Sequence, residues 1–237
     1  MRSLFLSHRG ESDDAPENTL PAFQLAIDGK SDGIELDIHL TKDGHVVVVH
    51  DDDLLRVANN NIVIAESNLA DIKAVHPVPT LKEFLSLDLS NMRVQIEIKG
   101  KPNLFPKFKE LLEEDRVKNF DITISSFDAN LLKEAKEVFP NYQRILLIDL
   151  AKLTNDNSLP SVEETINYLK LYDVTGISFK SDFRITKAYV DSLKAAKFNV
   201  VAWGVFTDEL GIAMAESGVE AMTCNHALAL RKKYLSR

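Results

Sequence analysis

Short apolar runs alternate with amphipathic stretches of helical period from residue 93 to the C-terminus, and this rhythm limits the chain to a parallel α/β architecture. Runs near 93–99, 121–125, 144–148, 175–179, 199–205 and 220–224 read as strands. The intervening segments 103–116, 128–138, 161–171, 186–196 and 207–217, and the one from about 226, read as helices. The start repeats the theme: the apolar run from Leu4 to Ser7 is a strand ending at His8, Arg9 and Gly10. Leu20, Phe23, Ala26 and Ile27 then mark a helix over roughly 17–29 that stops at Gly29. Eight strands, each followed by a helix or a connection containing one, predict an α/β fold of the (β/α)8 TIM barrel type; an open doubly wound sheet is the alternative. Residues 1–237 are expected to form one barrel domain, with 39–79 a small β-hairpin and loop excursion over the C-terminal face. Inside it, 51–79 has weak periodicity and reads as loop, after which Thr80 caps a short helix with Leu81, Phe84, Leu85 and Leu87.

The second strand carries the densest chemistry. Within Gly33–Asp51, GIELDIHLTKDGHVVVVHD, Glu35 and Asp37 are two apart and so share one face. Asp43-Gly44 is a strong signal for a two-residue hairpin loop. With those two residues as the whole loop, Lys42 pairs with His45, Leu40 with Val47, Ile38 with Val49 and Asp37 with His50, which sets an imidazole beside two acids. Solvated polar residues on a half-exposed sheet would be the plain alternative, but the apolar neighbours Ile34, Leu36, Ile38 and 46–49 argue for burial. Buried acids without a compensating cation or donors cost several kcal/mol.

Composition narrows the partners. A net charge of −8 disfavours general affinity for nucleic acid or an anionic membrane surface. Cys224 is the only cysteine, so no internal disulfide forms, which fits a reducing compartment. The start, MRSLFLSHRG, has too short an apolar run for a signal peptide, and no run approaches a membrane span. A cytoplasmic protein without stable membrane insertion is expected.

In a barrel, the C-terminal strand ends gather His8 and Arg9, Glu35 and Asp37, and, from the alternating RVQIEIK at 93–99, Glu97 and Lys99. Glu35, Asp37 and Glu97 form a hard oxygen set suited to one divalent cation, Mg²⁺ or Ca²⁺, rather than zinc. Arg9 offers a fork matched to phosphate and Lys99 a compact positive charge, so a phosphate ester fits. His8 and His50 can take up and release protons near neutrality, one deprotonating a nucleophile while the other protonates a leaving alkoxide. The histidines at 39, 45, 76 and 226 read as structural. Lys99 as a Schiff-base lysine is disfavoured by its acidic neighbour Glu97. Trp203 reads equally as a rim aromatic or as a wall against the substrate's alcohol group, Phe179 as structural, and Cys224 as a small buried residue.

Together these segments resemble the glycerophosphodiester phosphodiesterase family: SHRG at 7–10, APENTL at 15–20, ELDIHLTKDG at 35–44, VVVVHDDDL at 46–54, PTL at 79–81 and IEIK at 96–99, with weaker likeness in SSF at 125–127 and the Trp203 strand. The chain departs from the family pattern with RVANNN at 56–61, WGVF at 203–206 and TCNHAL at 223–228. The resemblance implies a metal-dependent barrel enzyme that cleaves a glycerophosphodiester to sn-glycerol 3-phosphate and an alcohol. It implies His8 and His50 as the acid and base pair, Glu35, Asp37 and Glu97 as metal ligands, and Arg9 and Lys99 as substrate contacts. Glu17 and Asn18, in the family's ENT segment, are implied to support His8 and Arg9. The family's reaction uses the glycerol's neighbouring hydroxyl as first nucleophile. Alternatives are a phospholipase D acting on lysophospholipid or sphingolipid on the same barrel, and a non-catalytic phosphodiester-binding module.

Overall fold

The computed structural model describes residues 2–237, in which nine strands build one sheet: β1 (Leu4–His8), β2 (Gly33–Leu40), β3 (Val46–Val48), β4 (Arg93–Ile98), β5 (Asp121–Ser126), β6 (Gln143–Ile148), β7 (Gly176–Lys180), β8 (Asn199–Trp203) and β9 (Ala221–Cys224). All neighbours are parallel except β2 and β3. β1 bonds to both β9 and β2, so eight strands close into a TIM barrel and β3 hangs on the outer course of β2. Closure excludes the open sheet.

Outside the barrel run α1 (Leu20–Asp28), α2 (Leu55–Ala58), α3 (Leu69–Val75), α4 (Leu81–Phe84), α5 (Phe105–Leu112), α6 (Ala129–Val138), α7 (Val162–Leu171), α8 (Lys187–Ala195), α9 (Asp208–Ser217) and α10 (Ala227–Leu235). Helix α1 starts later than its periodicity suggests because Thr19 is the N-cap, its hydroxyl accepting from the Ala22 amide, which leaves 16–18 in a loop. Thr80 and Glu83 form a reciprocal capping box on α4.

Alternation along each strand sorts side chains between two environments. Ile34, Leu36 and Ile38 of β2, with Val94, Ile96 and Ile98 of β4, join the main core under the helices, while the residues between them, Glu35, Asp37, Gln95 and Glu97, are buried polar groups. Phe23 of α1 and Phe84 of α4 meet edge to face at 4.7 Å in this core, both without solvent exposure. Phe84→Ala is expected to destabilise the fold by about 3–5 kcal/mol, read as a lower denaturant midpoint at an unchanged slope. An unchanged midpoint would mean that α4 does not share the barrel's core.

The hairpin departs from expectation by one residue. Observed pairs are Ile38 with Val48, His39 with Val47 and Leu40 with Val46. The Thr41 hydroxyl donates to Asp43 Oδ1 at 2.6 Å and accepts from the His45 amide at 2.9 Å, so the loop takes in Lys42, Asp43 and Gly44. Only Gly44 is left-handed, with φ 83°, which is the three-residue hairpin rather than the two-residue one. The shift would turn His50 away from Asp37, but β3 ends at Val48 and His50 lies on the bend beyond it. The segment 51–79 is not structureless: α2, α3 and a small core of Val47, Val49, Leu54, Ile64, Ile72 and Val78 organise it. No helix among the described residues is long and apolar enough to cross a membrane.

Candidate active site

Register places the acids. His8, the last residue of β1, is level with Glu35 on β2, and Asp37 is level with Glu97, the penultimate residue of β4. One carboxylate oxygen from each of Glu35, Asp37 and Glu97 lies within 4.8 Å of the others, and all three residues are buried. Lys99 Nζ sits 2.7 Å from Glu97 Oε1 and 3.3 Å from Asp37 Oδ1. Arg9 Nε is 3.3 Å from Asp37 Oδ2, and the Asn18 amide donates to that same oxygen at 2.9 Å.

Both loop residues in this group hold left-handed backbone, Arg9 at φ 58° and Asn18 at φ 54°, and the Asn18 backbone N–H donates to the Arg9 carbonyl at 2.9 Å. Such backbone costs roughly 1–2 kcal/mol per residue outside glycine, strain that persists only where surroundings enforce it. Here it aims one guanidinium and one amide at the same carboxylate.

The acids are electrostatically unlike. Burial, with Asp37 and Glu97 alongside, holds the Glu35 carboxyl well above the usual range. Burial and Asp37 push Glu97 up to about 7, against the pull of Lys99. Burial would raise Asp37 too, but Lys99, Arg9 and His50 outweigh it and keep that carboxyl low. When all are ionised, three carboxylates against Arg9 and Lys99 leave one net negative charge. Glu35 Oε2 is buried without a hydrogen-bond partner among the described residues, and Asp37 Oδ1, although ion-paired with Lys99, likewise accepts no hydrogen bond. Orphaned oxygens in an acid-rich pocket fit a hard divalent cation, so this triad is able to hold a metal ion.

Both histidines line the same cavity, which has a volume of about 350 Å³. His8 Nδ1 bonds Asn225 Oδ1 at 2.7 Å, and its Nε2 lies 3.8 Å from Glu35 Oε2. Burial and the neighbouring Arg9 charge lower the His8 pKa, with Asn225 opposing. His50 Nδ1 bonds Asp51 Oδ1 at 2.6 Å. In both rings the partner on Nδ1 fixes the tautomer and leaves Nε2 for chemistry.

The cavity lining is mixed. Arg9, Glu35, Glu97 and Lys99 supply charge, Phe127, Leu147, Trp203, Val205 and Phe206 supply an apolar wall, and the two meet where Lys99 Nζ lies 5.7 Å from the centre of the Phe127 ring. Trp203 ends β8, donates its indole N–H to the Ile148 carbonyl at 3.3 Å, and takes the Phe127 ring edge to face at 5.2 Å. It is therefore a wall of the site. A larger hollow of about 700 Å³ lies at the opposite end of the barrel, where Arg93 pairs with Asp121 and Arg231 with Asp32.

All ten residues singled out from the sequence thus converge, Glu17 through its ion pair to Arg9 at 2.9 Å. Asp51, Arg56 and Asn225 were missed. Asp51 had a local signal in its place directly after His50, whereas Arg56 and Asn225 meet their partners only through the fold.

The sequence pattern of the glycerophosphoryl diester phosphodiesterase family matches residues 8–229. The chain belongs to that family. As a member it is a phosphoric diester hydrolase. A glycerophosphodiester phosphodiesterase of Caldanaerobacter subterraneus subsp. tengcongensis is 37% identical over 163 residues, covering 62% of this chain and 67% of the relative. Among solved structures, the glycerophosphodiester phosphodiesterase of Thermotoga maritima superposes with a TM-score of 0.81 at 25% identity, covering 98% of this chain and 99% of that one. An Oleispira antarctica phosphodiesterase, solved with the product sn-glycerol-3-phosphate, shares the fold with a TM-score of 0.85 at 24% identity, covering 100% and 98%.

Proposed function

We propose that the whole chain works as one catalytic unit that hydrolyses glycerophosphodiesters to sn-glycerol 3-phosphate and an alcohol, with His8 and His50 moving the protons. The observation that carries this is the pair of imidazoles, each tethered at Nδ1, on one cavity with the acidic triad and two cations. Glu35, Asp37 and Glu97 would hold one Mg²⁺ or Ca²⁺, which when bound supplies Lewis-acid stabilisation of charge on the phosphoryl oxygens. With that ion the pocket carries one net positive charge, which a phosphodiester monoanion neutralises.

Arg9 and Lys99 grip the non-bridging oxygens and align phosphorus. One imidazole takes the proton of the glycerol 2-hydroxyl, whose oxygen attacks phosphorus. The phosphorus–oxygen bond to the alcohol breaks, and the other imidazolium protonates the departing alkoxide. A cyclic phosphate remains. Water then enters, gives its proton to the imidazole that has just lost one, and opens the ring, while the first imidazolium returns its proton to the 2-hydroxyl oxygen. Both histidines end as they began.

Replacing the substrate's 2-hydroxyl by hydrogen is expected to slow turnover at least about 100-fold, because the intramolecular nucleophile is lost. Equal turnover of such a diester would overturn the cyclic route. The apolar wall favours one second reading, a lysophospholipase D or sphingomyelinase D-like activity. Phe127, Phe183 and Phe206 are 50%, 67% and 71% exposed on the segments that follow β5, β7 and β8, and two of them line the cavity. A lysophospholipid turned over when glycerophosphocholine is not would decide for that reading.

A further inference from the structure

We propose that Arg56, in the excursion outside the barrel, is a positioning residue that couples the proton-transferring His50 to the phosphate-gripping Arg9. The inference rests on the roles given to those two residues above. Arg56 Nε donates to Asp51 Oδ2 at 2.6 Å, while its Nη1 and Nη2 donate to Glu17 Oε2 and Oε1 at 2.8 and 2.6 Å. The other oxygen of Asp51 takes His50 Nδ1, and Glu17 Oε1 also accepts from Arg9 Nη1 at 2.9 Å. One guanidinium therefore closes an unbroken chain of alternating charge from the imidazole, through two carboxylates, to the guanidinium beside Asp37.

The backbone leaves His50 in need of such a link. β3 stops at Val48, so no strand ladder orients the ring, and among the described residues the His50 carbonyl is held only by His39 Nε2 at 3.1 Å. Ring orientation then depends on Asp51, and Asp51 depends on Arg56. The planar fork suits this task because it can serve one carboxylate through two donors and a second through Nε, which an ammonium cannot do. Helix α2 buries none of its residues, and Arg56 is half exposed, so its ion pairs add little to global stability. Its geometry matters to the site instead.

With glycerophosphocholine and Mg²⁺, Arg56→Met is expected to lower kcat roughly 10- to 100-fold and to raise KM several-fold, since both ends of the chain loosen. Asp51→Asn should lower kcat with little change in KM, and Glu17→Gln should raise KM with little change in kcat. Because the three residues act as a unit, Arg56→Met placed on the Asp51→Asn/Glu17→Gln background should add less than about twofold. A packing role alone would not give that pattern. Arg56→Lys, which keeps charge and fold but cannot span both carboxylates, should show the same split at smaller size, and low millimolar guanidinium should restore part of the kcat of Arg56→Ala. Costs that multiply in the triple variant, or wild-type kinetics in Arg56→Met while His50→Ala is inactive, overturn this inference alone. Wild-type turnover in His50→Ala overturns the assignment on which it stands, and this inference with it.

Discussion

His8→Ala and His50→Ala are each expected to lower turnover by about 10²- to 10⁴-fold while the protein stays folded. Neither ring belongs to the hydrophobic core, and each is only partly buried at the mouth of the barrel. Removing His8 frees the Asn225 side chain, and removing His50 frees one oxygen of Asp51, which Arg56 still holds through the other. The loss should therefore fall on kcat, with thermal midpoints close to that of the wild type. The two variants should differ in a second readout. A substrate whose leaving group is p-nitrophenolate needs no proton on departure, so it should restore much of the rate in the variant lacking the acid and little in the variant lacking the base. Wild-type turnover in either variant would remove that histidine from the mechanism.

Much of this site was legible before the fold was known, for physical reasons. In a parallel barrel, strands buried on both sides are apolar toward the helices, so acids that interrupt them stand out, as Glu35 and Asp37 do between Ile34, Leu36 and Ile38. Glu97 on β4 follows the same logic, as does Lys99 just past its end, and they meet at 2.7 Å. The hairpin register was misread because Asp43-Gly44 states a preference, whereas the Thr41 side chain, by bonding Asp43 and the His45 amide, decides the loop length. His50 nevertheless reaches the cavity, from a bend rather than from a paired position. The order within 51–79 was hidden because its core draws single residues from many short turns, such as Leu54, Ile64 and Ile72, and none of these repeats with a helical or strand period. Partners such as Asn225, 217 residues from His8, carry no sequence signal at all.

Exhaustive chelation is expected to reduce activity by about 10³-fold or more, and Mg²⁺ or Ca²⁺ to restore it, since a Lewis acid at a phosphoryl centre contributes several kcal/mol to the transition state. The acids that would bind the ion also predict what happens without it. In the metal-free protein Glu35 is repelled by Asp37 and Glu97 inside a buried pocket, and one of its oxygens has no donor. Glu35→Gln removes that repulsion, so it should leave the chelated protein as stable as the wild type or more so. Asp37→Asn should do the reverse, because Lys99, Arg9 and Asn18 all converge on this carboxylate and would lose a shared partner. Added cation should raise the wild-type thermal midpoint by an amount that grows with concentration, equivalent to about 2.7 kcal/mol at a hundred times the dissociation constant. In Glu35→Gln, Asp37→Asn and Glu97→Gln that rise should shrink or vanish, and turnover with it. Opposite signs for Glu35→Gln and Asp37→Asn without metal, together with a common loss of the metal-induced rise, separate cation binding from simple packing. Full turnover after chelation, or a midpoint indifferent to divalent ions, would mean that the triad holds no functional cation.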